Sequence, residues 1–394
     1  MAGDISLVKR LVRLGYNINA VEKSGKTVLL DATRHFGQTW WWSNSDFQHR
    51  LRMLRTLCDE GADVNFTPEG AKEGTYILYD LITGSSGDCL DGAHIDALKT
   101  LLKYDASPSR ALHAIGEAPA WVSSVEVLLD AGADIEELWD NMTPLTWAAL
   151  HKNPTVVQAL IDAGANVNGV GESALFAAIT PNFFTYSYAP TTVAVLTILC
   201  TAGADMKKLN GDNHSILSYA LTMSCPTTTV PLSLFEMSDS VQAVLEVLCN
   251  AGADVNFHHH NVPFTVVETH DENGDTPLHI AINACVGTTA EGTNEVSSNV
   301  AAECAEILIS YGAEVNIQNN IGSTPLHSAV CRSNLAVIQV LLKHGGRVDV
   351  QDVYGNTPLM LAQAMKKSTK IVALLEKMTN SKHIVTCHTS HAKS

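Results

Sequence analysis

The sequence predicts an all-α protein, built as a solenoid of helix-turn-helix repeats with β-hairpin fingers between them. Three observations carry the prediction. A capped helix phrase recurs as Thr276-Pro277-Leu278-His279-Ile280-Ala281, Thr324-Pro325-Leu326-His327-Ser328-Ala329 and Thr357-Pro358-Leu359-Met360-Leu361-Ala362, the threonines 48 and 33 residues apart. Recurrence at a period of about 33 marks a repeat array. A second phrase, Gly252-Ala253-Asp254-Val255-Asn256 or a near variant of it, punctuates the chain from Gly15 to Gly345. An apolar content of 46% with 17% charged residues describes an ordered chain.

Each unit has a local physical reading. Thr324 is a good N-cap, worth about 1 kcal/mol, because its hydroxyl accepts from an orphan backbone N–H. Pro325 then occupies the first helical position, where its missing N–H costs nothing. Leu326 and Ala329 share one face of this helix A. Val337, Val340, Leu341 and Leu342 form the apolar stripe of a second helix, helix B. Gly345 stops it, since the position just past a helix end adopts the left-handed conformation.

These phrases resemble the ankyrin repeat, whose signature is T-P-L-H-x-A with a second helix ending in G-A-D-V-N. The resemblance covers about ten repeats, several of them degenerate, over residues 1–378. It is best at 139–170 and 274–376 and degenerate at 75–130. It implies non-catalytic protein–protein recognition through a concave surface of fingers and helix-A faces, and no cofactor. By matching position the expected contacts are Trp139, Asp140, Gln318, Asn319, Asn320, Asp352 and Tyr354, led by Trp139 as an aromatic at a finger tip. The resemblance also implies a modification. Leu57 before Asp63-Val64-Asn65, Leu248 before Asp254-Val255-Asn256 and Leu308 before Glu314-Val315-Asn316 look like substrates of an oxygen-dependent asparaginyl hydroxylase. Structural hydrogen bonding within the fingers accounts for Asn65, Asn256 and Asn316 equally well.

In chain order, helix-B exits begin at Gly15, Gly61, Asp105, Gly132, Gly164, Gly203, Gly252, Gly312 and Gly345, spaced by 46, 44, 27, 32, 39, 49, 60 and 33 residues. Residues 3–15 already read as a helix B. Either an upstream helix A belongs before it, or its Lys9, Arg10 and Arg13 face closes the stack. The excess length falls between helix A and helix B, at about 35–48, 84–93, 180–190, 224–238 and 286–299. The first insert carries Phe36, Trp40, Trp41, Trp42 and Phe47, and the third Phe183, Phe184, Tyr186 and Tyr188. Such aromatics serve either as docking anchors or as clusters folded over the helices beneath. Residues 379–394 lose periodicity and are expected to form a disordered tail.

Two stretches suggest enzyme chemistry and neither has its context. Ala20 to Thr27 satisfies a relaxed P-loop pattern, but it falls where a finger meets the Thr27 cap rather than between a strand and a long helix. His258, His259, His260 and His270 with Glu268 and Asp271 offer zinc-type ligands without helical or paired-cysteine spacing, so a solvated finger is the simpler account. No nucleophile triad or acid–base carboxylate pair emerges. The recurrent His113, His279 and His327 stand where the family's histidine fastens a turn. The expectation is therefore no enzyme. A substrate-recognition or regulatory subunit of a larger assembly, such as a ubiquitin ligase, is the alternative, and a nucleotide- or zinc-dependent enzyme ranks behind both.

Net charge of −16 disfavours nucleic acid as a partner and leaves a protein partner of unknown identity. Nine cysteines, several in repeat helices, and a start without a signal peptide point to a reducing intracellular compartment, cytoplasmic or nuclear. Ser173 to Ala204 lacks charge, but Pro181 and Pro190 interrupt it, so no membrane span is expected.

Overall fold

A computed structural model describes residues 5–23, 25–34, 44–66, 77–84, 92–180, 190–223, 234–258, 274–284, 288–289, 292–293 and 295–390. The chain divides into two compact units, Met1–Ala178 and Ile179–Ser394. The first contains α1 (Ile5–Arg13), α2 (Val28–Arg34), α3 (Asn44–Asp59), α4 (Ile77–Thr83), α5 (Gly92–Lys103), α6 (Ala111–Glu117), a 3-10 helix (Pro119–Ser124), α7 (Val125–Asp130), α8 (Pro144–Leu150) and α9 (Pro154–Asp162). Helix α10 (Ala174–Ile179) lies at the division. The second contains α11 (Pro190–Thr201), α12 (Ile216–Met223), α13 (Leu234–Asn250), α14 (Pro277–Ala284), the two-residue strands β1 (Thr288–Thr289) and β2 (Gly292–Thr293), α15 (Glu295–Ser310), α16 (Pro325–Cys331), α17 (Leu335–Lys343), α18 (Pro358–Ala364) and α19 (Thr369–Ser390).

Among the described helices, those of successive repeats pack on one another within each unit. In the first unit the helix-A row runs α2 on α4, α4 on α6 and α6 on α8, while α1 packs on α3 and α3 on α5 in the helix-B row. In the second, α12, α14, α16 and α18 form one row and α11, α13, α15 and α17 the other. Leucine, isoleucine, valine and alanine side chains between the rows are buried, among them Leu54, Leu98, Leu245, Leu308 and Leu341. Through the weakest phrases, at 75–130, the helix-A row continues over α4 and α6, and α5 packs on α3.

The local signals have local outcomes. All nine helix-B exits have positive φ, from Gly15 to Gly345, and Asp105 fills the glycine's place at φ 62°. Thr143 and Thr357 cap their helices by accepting the backbone N–H of Thr146 and Met360. The fingers close as hairpin turns, four of them through one backbone bond, as from Asn319 to Ser323 and from Asp352 to Asn356. Only Trp139 and Met142 form a bridge among the described fingers, around Asp140 and Asn141, whose φ values of 53° and 62° suit a type I′ turn. The shortest spacing, from Asp105 to Gly132, is met by replacing one helix B with the 3-10 helix and the short α7.

The backbone of α19 continues to Ser390, into the stretch 379–394 expected to be disordered. Its first turns are anchored by the buried Ile371 and Leu375, and extending a formed helix costs far less than starting one. The relaxed P-loop at Ala20 to Thr27 is a finger: Glu22 N–H bonds Lys26 O, Gly25 N–H bonds Glu22 O, and Thr27 caps the seven-residue α2. Of the first insert's aromatic residues Phe47 falls on the backbone of α3, while Phe36, Trp40, Trp41 and Trp42, those of the third insert and the histidine-rich finger beyond His258 lie outside the described residues. β1 and β2 pair antiparallel within the last insert.

Candidate functional site

The first unit gathers an aromatic wall on its finger and helix-A side. Trp139 sits on the finger leading to α8, and Trp147 is the fourth residue of α8 itself. Their rings lie parallel, with centroids 4.8 Å apart and 12° between planes. The Arg110 guanidinium covers Trp139 at 4.8 Å from the ring centre. Tyr79 of α4 meets Trp139 edge-on at 5.3 Å, and His151 leans against Trp147 at 5.5 Å. Glu117, at the end of α6, ties the wall together: its Oε1 accepts from the Tyr79 hydroxyl at 2.8 Å and from Trp147 Nε1 at 3.1 Å. Tyr79, Trp139, Trp147, His151 and Glu117 are all half-buried, so ring edges and one carboxylate reach the surface.

The fold positions these groups by close approach. At Gly116 an added Cβ would meet Trp147 Cδ1 at 3.0 Å and the Ala148 backbone at 3.2 Å, so glycine here lets α6 approach α8 more closely than a side chain ordinarily does. Asn153 donates to the Gly116 carbonyl and holds the same contact from the other side. Burial, followed by the Glu117 hydrogen bond, raises the Tyr79 pKa, so the hydroxyl stays a donor. Burial also lowers His151, and pushes His113 down to about 4, so the wall carries neutral imidazoles at neutral pH. Beside it, burial lowers Lys152 to about 7 while its amine donates to the Ala177 and Ala178 carbonyls.

The expected contact residues occupy different roles. Trp139 is stacked into the wall rather than projecting from a tip, and Asp140 is an exposed residue of the type I′ turn. In the second unit Gln318 is exposed but already bridges two fingers, donating to Gly322 O at 2.7 Å and Gln351 O at 3.0 Å. Asn320 is exposed. Asn319 corrects the expectation of a surface contact: it is buried, donates to Asp275 at 2.7 Å and accepts from the amides of Ile321 and Ser323. Its amide is consumed in satisfying the buried Asp275 carboxylate, which Asn283 also reaches at 3.0 Å. Asp352 spends its carboxylate on the amides of Tyr354 and Asn356, fixing its own turn. Tyr354 stands 77% exposed, with the exposed Val353 beside it.

The three asparagines Asn65, Asn256 and Asn316 share one geometry. Each donates to the carbonyl of the next repeat's exit residue, Asp105, Gly312 or Gly345, at 2.8–3.1 Å. Each also accepts the amide two residues further on, from Ser107, Glu314 or Arg347. Asn19 does the same to Gly61 and Asp63. The recurrent histidines act similarly from helix A. His279 and His327 accept at Nδ1 from the Thr276 and Thr324 caps and donate from Nε2 to Ser323 O and Asn356 O, each at 3.0 Å. His113 keeps only the second half, to Met142 O at 3.1 Å, because Arg110 replaces the capping threonine.

Of the wall, sequence reasoning identified Trp139 and missed Tyr79, Glu117, Trp147 and His151. Trp147 carried a weak signal as a tryptophan inside the capped phrase Thr143-Pro144-Leu145-Thr146-Trp147. Glu117 carried none.

The profile described as ankyrin repeats (3 copies) matches residues 89–208 and 295–384. Among solved structures, the ankyrin repeat domain of Bcl-3, titled a unique member of the IkappaB protein family, is 24% identical with a TM-score of 0.47, covering 67% of this chain and 97% of that one. The ankyrin repeat domain of human ASB11 is 23% identical with a TM-score of 0.45, covering 67% of this chain and 96% of that one. No curated protein matches the chain.

Proposed function

Because this chain belongs to the ankyrin-repeat family, we propose that it is a non-catalytic recognition module that binds a partner protein on its finger and helix-A side. The observation that carries the reading is the wall of Tyr79, Trp139 and Trp147 around Glu117, half open to solvent. Aromatic residues with a polar handle dominate interface hot spots, and rings already held by stacking lose little freedom on binding. The exposed Val353 and Tyr354 make a separate apolar tip in the second unit. Among the described residues no helix is long and apolar enough to cross a membrane. A role as the recognition subunit of a larger assembly, such as a ubiquitin ligase, uses the same surface and differs only in what the partner brings.

The test is affinity capture from native lysate with wild type, Trp139→Ala and Tyr354→Ala, each checked for an unchanged melting temperature. A partner lost with Trp139→Ala supports the wall. A partner retained by both variants overturns the assignment and moves recognition to the inserts.

The hydroxylation reading of Asn65, Asn256 and Asn316 is a second proposal. Each side chain is bonded to the following repeat, so an enzyme reaching its Cβ would require that repeat junction to open. Intact-peptide mass spectrometry on protein from its own cells tests it: one added oxygen on any of the three asparagines supports it, and none on all three counts against it.

A further inference from the structure

Taking the aromatic wall as the recognition surface, we propose that the partner segment laid on it is basic and pairs an arginine or lysine side chain with Glu117. The carboxylate is half-buried at the end of α6. Its Oε1 accepts from the Tyr79 hydroxyl at 2.8 Å and from Trp147 Nε1 at 3.1 Å, and the two bonds fix the direction of the group. Among the described residues no hydrogen bond reaches Oε2. One oxygen therefore orients the carboxylate within the wall, and the other is left to meet whatever covers it.

Charge selects the occupant. A partner that covers the wall excludes water from Oε2. An apolar segment would then leave the charge buried and unpaired, and an acidic one would add repulsion. A charged donor bonds a carboxylate more strongly than a neutral one. The surroundings do not supply that donor. From Arg110 to Ala178 nine acidic residues stand against Arg110 and Lys152 alone. The Arg110 guanidinium lies over the Trp139 ring, and the Lys152 amine donates to the Ala177 and Ala178 carbonyls. Burial keeps the imidazoles of His113 and His151 neutral. Glu137 and Asp140, in the finger that carries Trp139, extend the negative potential to the edge of the wall.

The experiment pans a random linear peptide library, displayed on phage, against the full chain. Enriched sequences are expected to share an arginine or lysine at one fixed position. As labelled peptides they bind with an affinity that falls as salt rises, read by fluorescence anisotropy. Glu117→Gln weakens them at least tenfold. Its amide oxygen still accepts from Tyr79 and Trp147, so melting temperature and tryptophan emission stay as in wild type. Replacing the peptide's cation by glutamine weakens binding equally and adds nothing to Glu117→Gln, because the two changes remove one pair. That second arm needs no change in the protein. Peptides that depend on Trp139 but bind Glu117→Gln as tightly as wild type overturn the pairing and leave the wall as the recognition surface. A consensus without a cation, or no enriched peptide at all, overturns it as well. Peptides indifferent to both Trp139→Ala and Glu117→Gln remove the wall itself.

Discussion

The Asn316 side chain clasps Gly345 across a repeat boundary, donating to its carbonyl at 3.1 Å while the Arg347 amide returns a bond of 2.7 Å to Asn316 Oδ1. The same clasp joins Asn65 to Asp105 and Asn256 to Gly312. Net hydrogen bonds are worth about 1 kcal/mol each and less where water competes. Asn316→Ala is therefore expected to destabilise the second unit by about 1–2 kcal/mol, read as a lower urea midpoint at unchanged slope. Asn316→Asp keeps the acceptor and should lose less. Equal stability of Asn316→Ala and wild type would show that the clasp contributes nothing.

Gly116 sets the distance between α6 and α8. Gly116→Ala is expected to cost about 1–3 kcal/mol, because its methyl must displace Trp147 and the fixed backbone of Ala148. The variant should also shift tryptophan emission as Trp147 leaves its stack. A thermal melt and an emission spectrum decide both, and a stabilised variant would mean that α8 recoils without loss.

His113 makes the fold acid-sensitive. Burial, the largest cause, takes its pKa from the ordinary 6.5 to about 4, so the unfolded chain takes up this proton first as pH falls. Stability is full above about pH 6.5, falls from there toward pH 4, and the total from this group is about 3 kcal/mol. Burial lowers His279 and His327 in the same direction. His113→Gln should flatten the stability profile between pH 6.5 and 4. A profile as steep as wild type would place the acid sensitivity elsewhere.

Cysteine reactivity should follow burial. Burial raises Cys58 and Cys249 to about 11, leaving almost no thiolate at neutral pH. Both are expected to resist iodoacetamide at pH 7.5 until the chain unfolds, with the exposed Cys331 labelled before Cys58, Cys200, Cys249 and Cys304. Peptide mass spectrometry over a time course reads the order.

What the sequence determined by itself is everything set within one turn or one cap. Thr-Pro starts, glycine exits and four-three apolar spacing depend on neighbours a few residues away, so the order of helices and the family were legible, and so was Trp139 on its finger. Asn319 shows the limit, because a polar residue in a finger reads as exposed until Asp275, 44 residues earlier, arrives beside it and needs its amide. The wall shows the same. Tyr79, Glu117 and Trp147 come from three successive repeats whose spacing is irregular, and each looks ordinary alone. Only stacking brings the carboxylate of one helix to the hydroxyl of the preceding repeat and the indole of the next. That juxtaposition is decided by how closely helices approach, here through the missing side chain of Gly116, and such distances are fixed by packing of the folded whole.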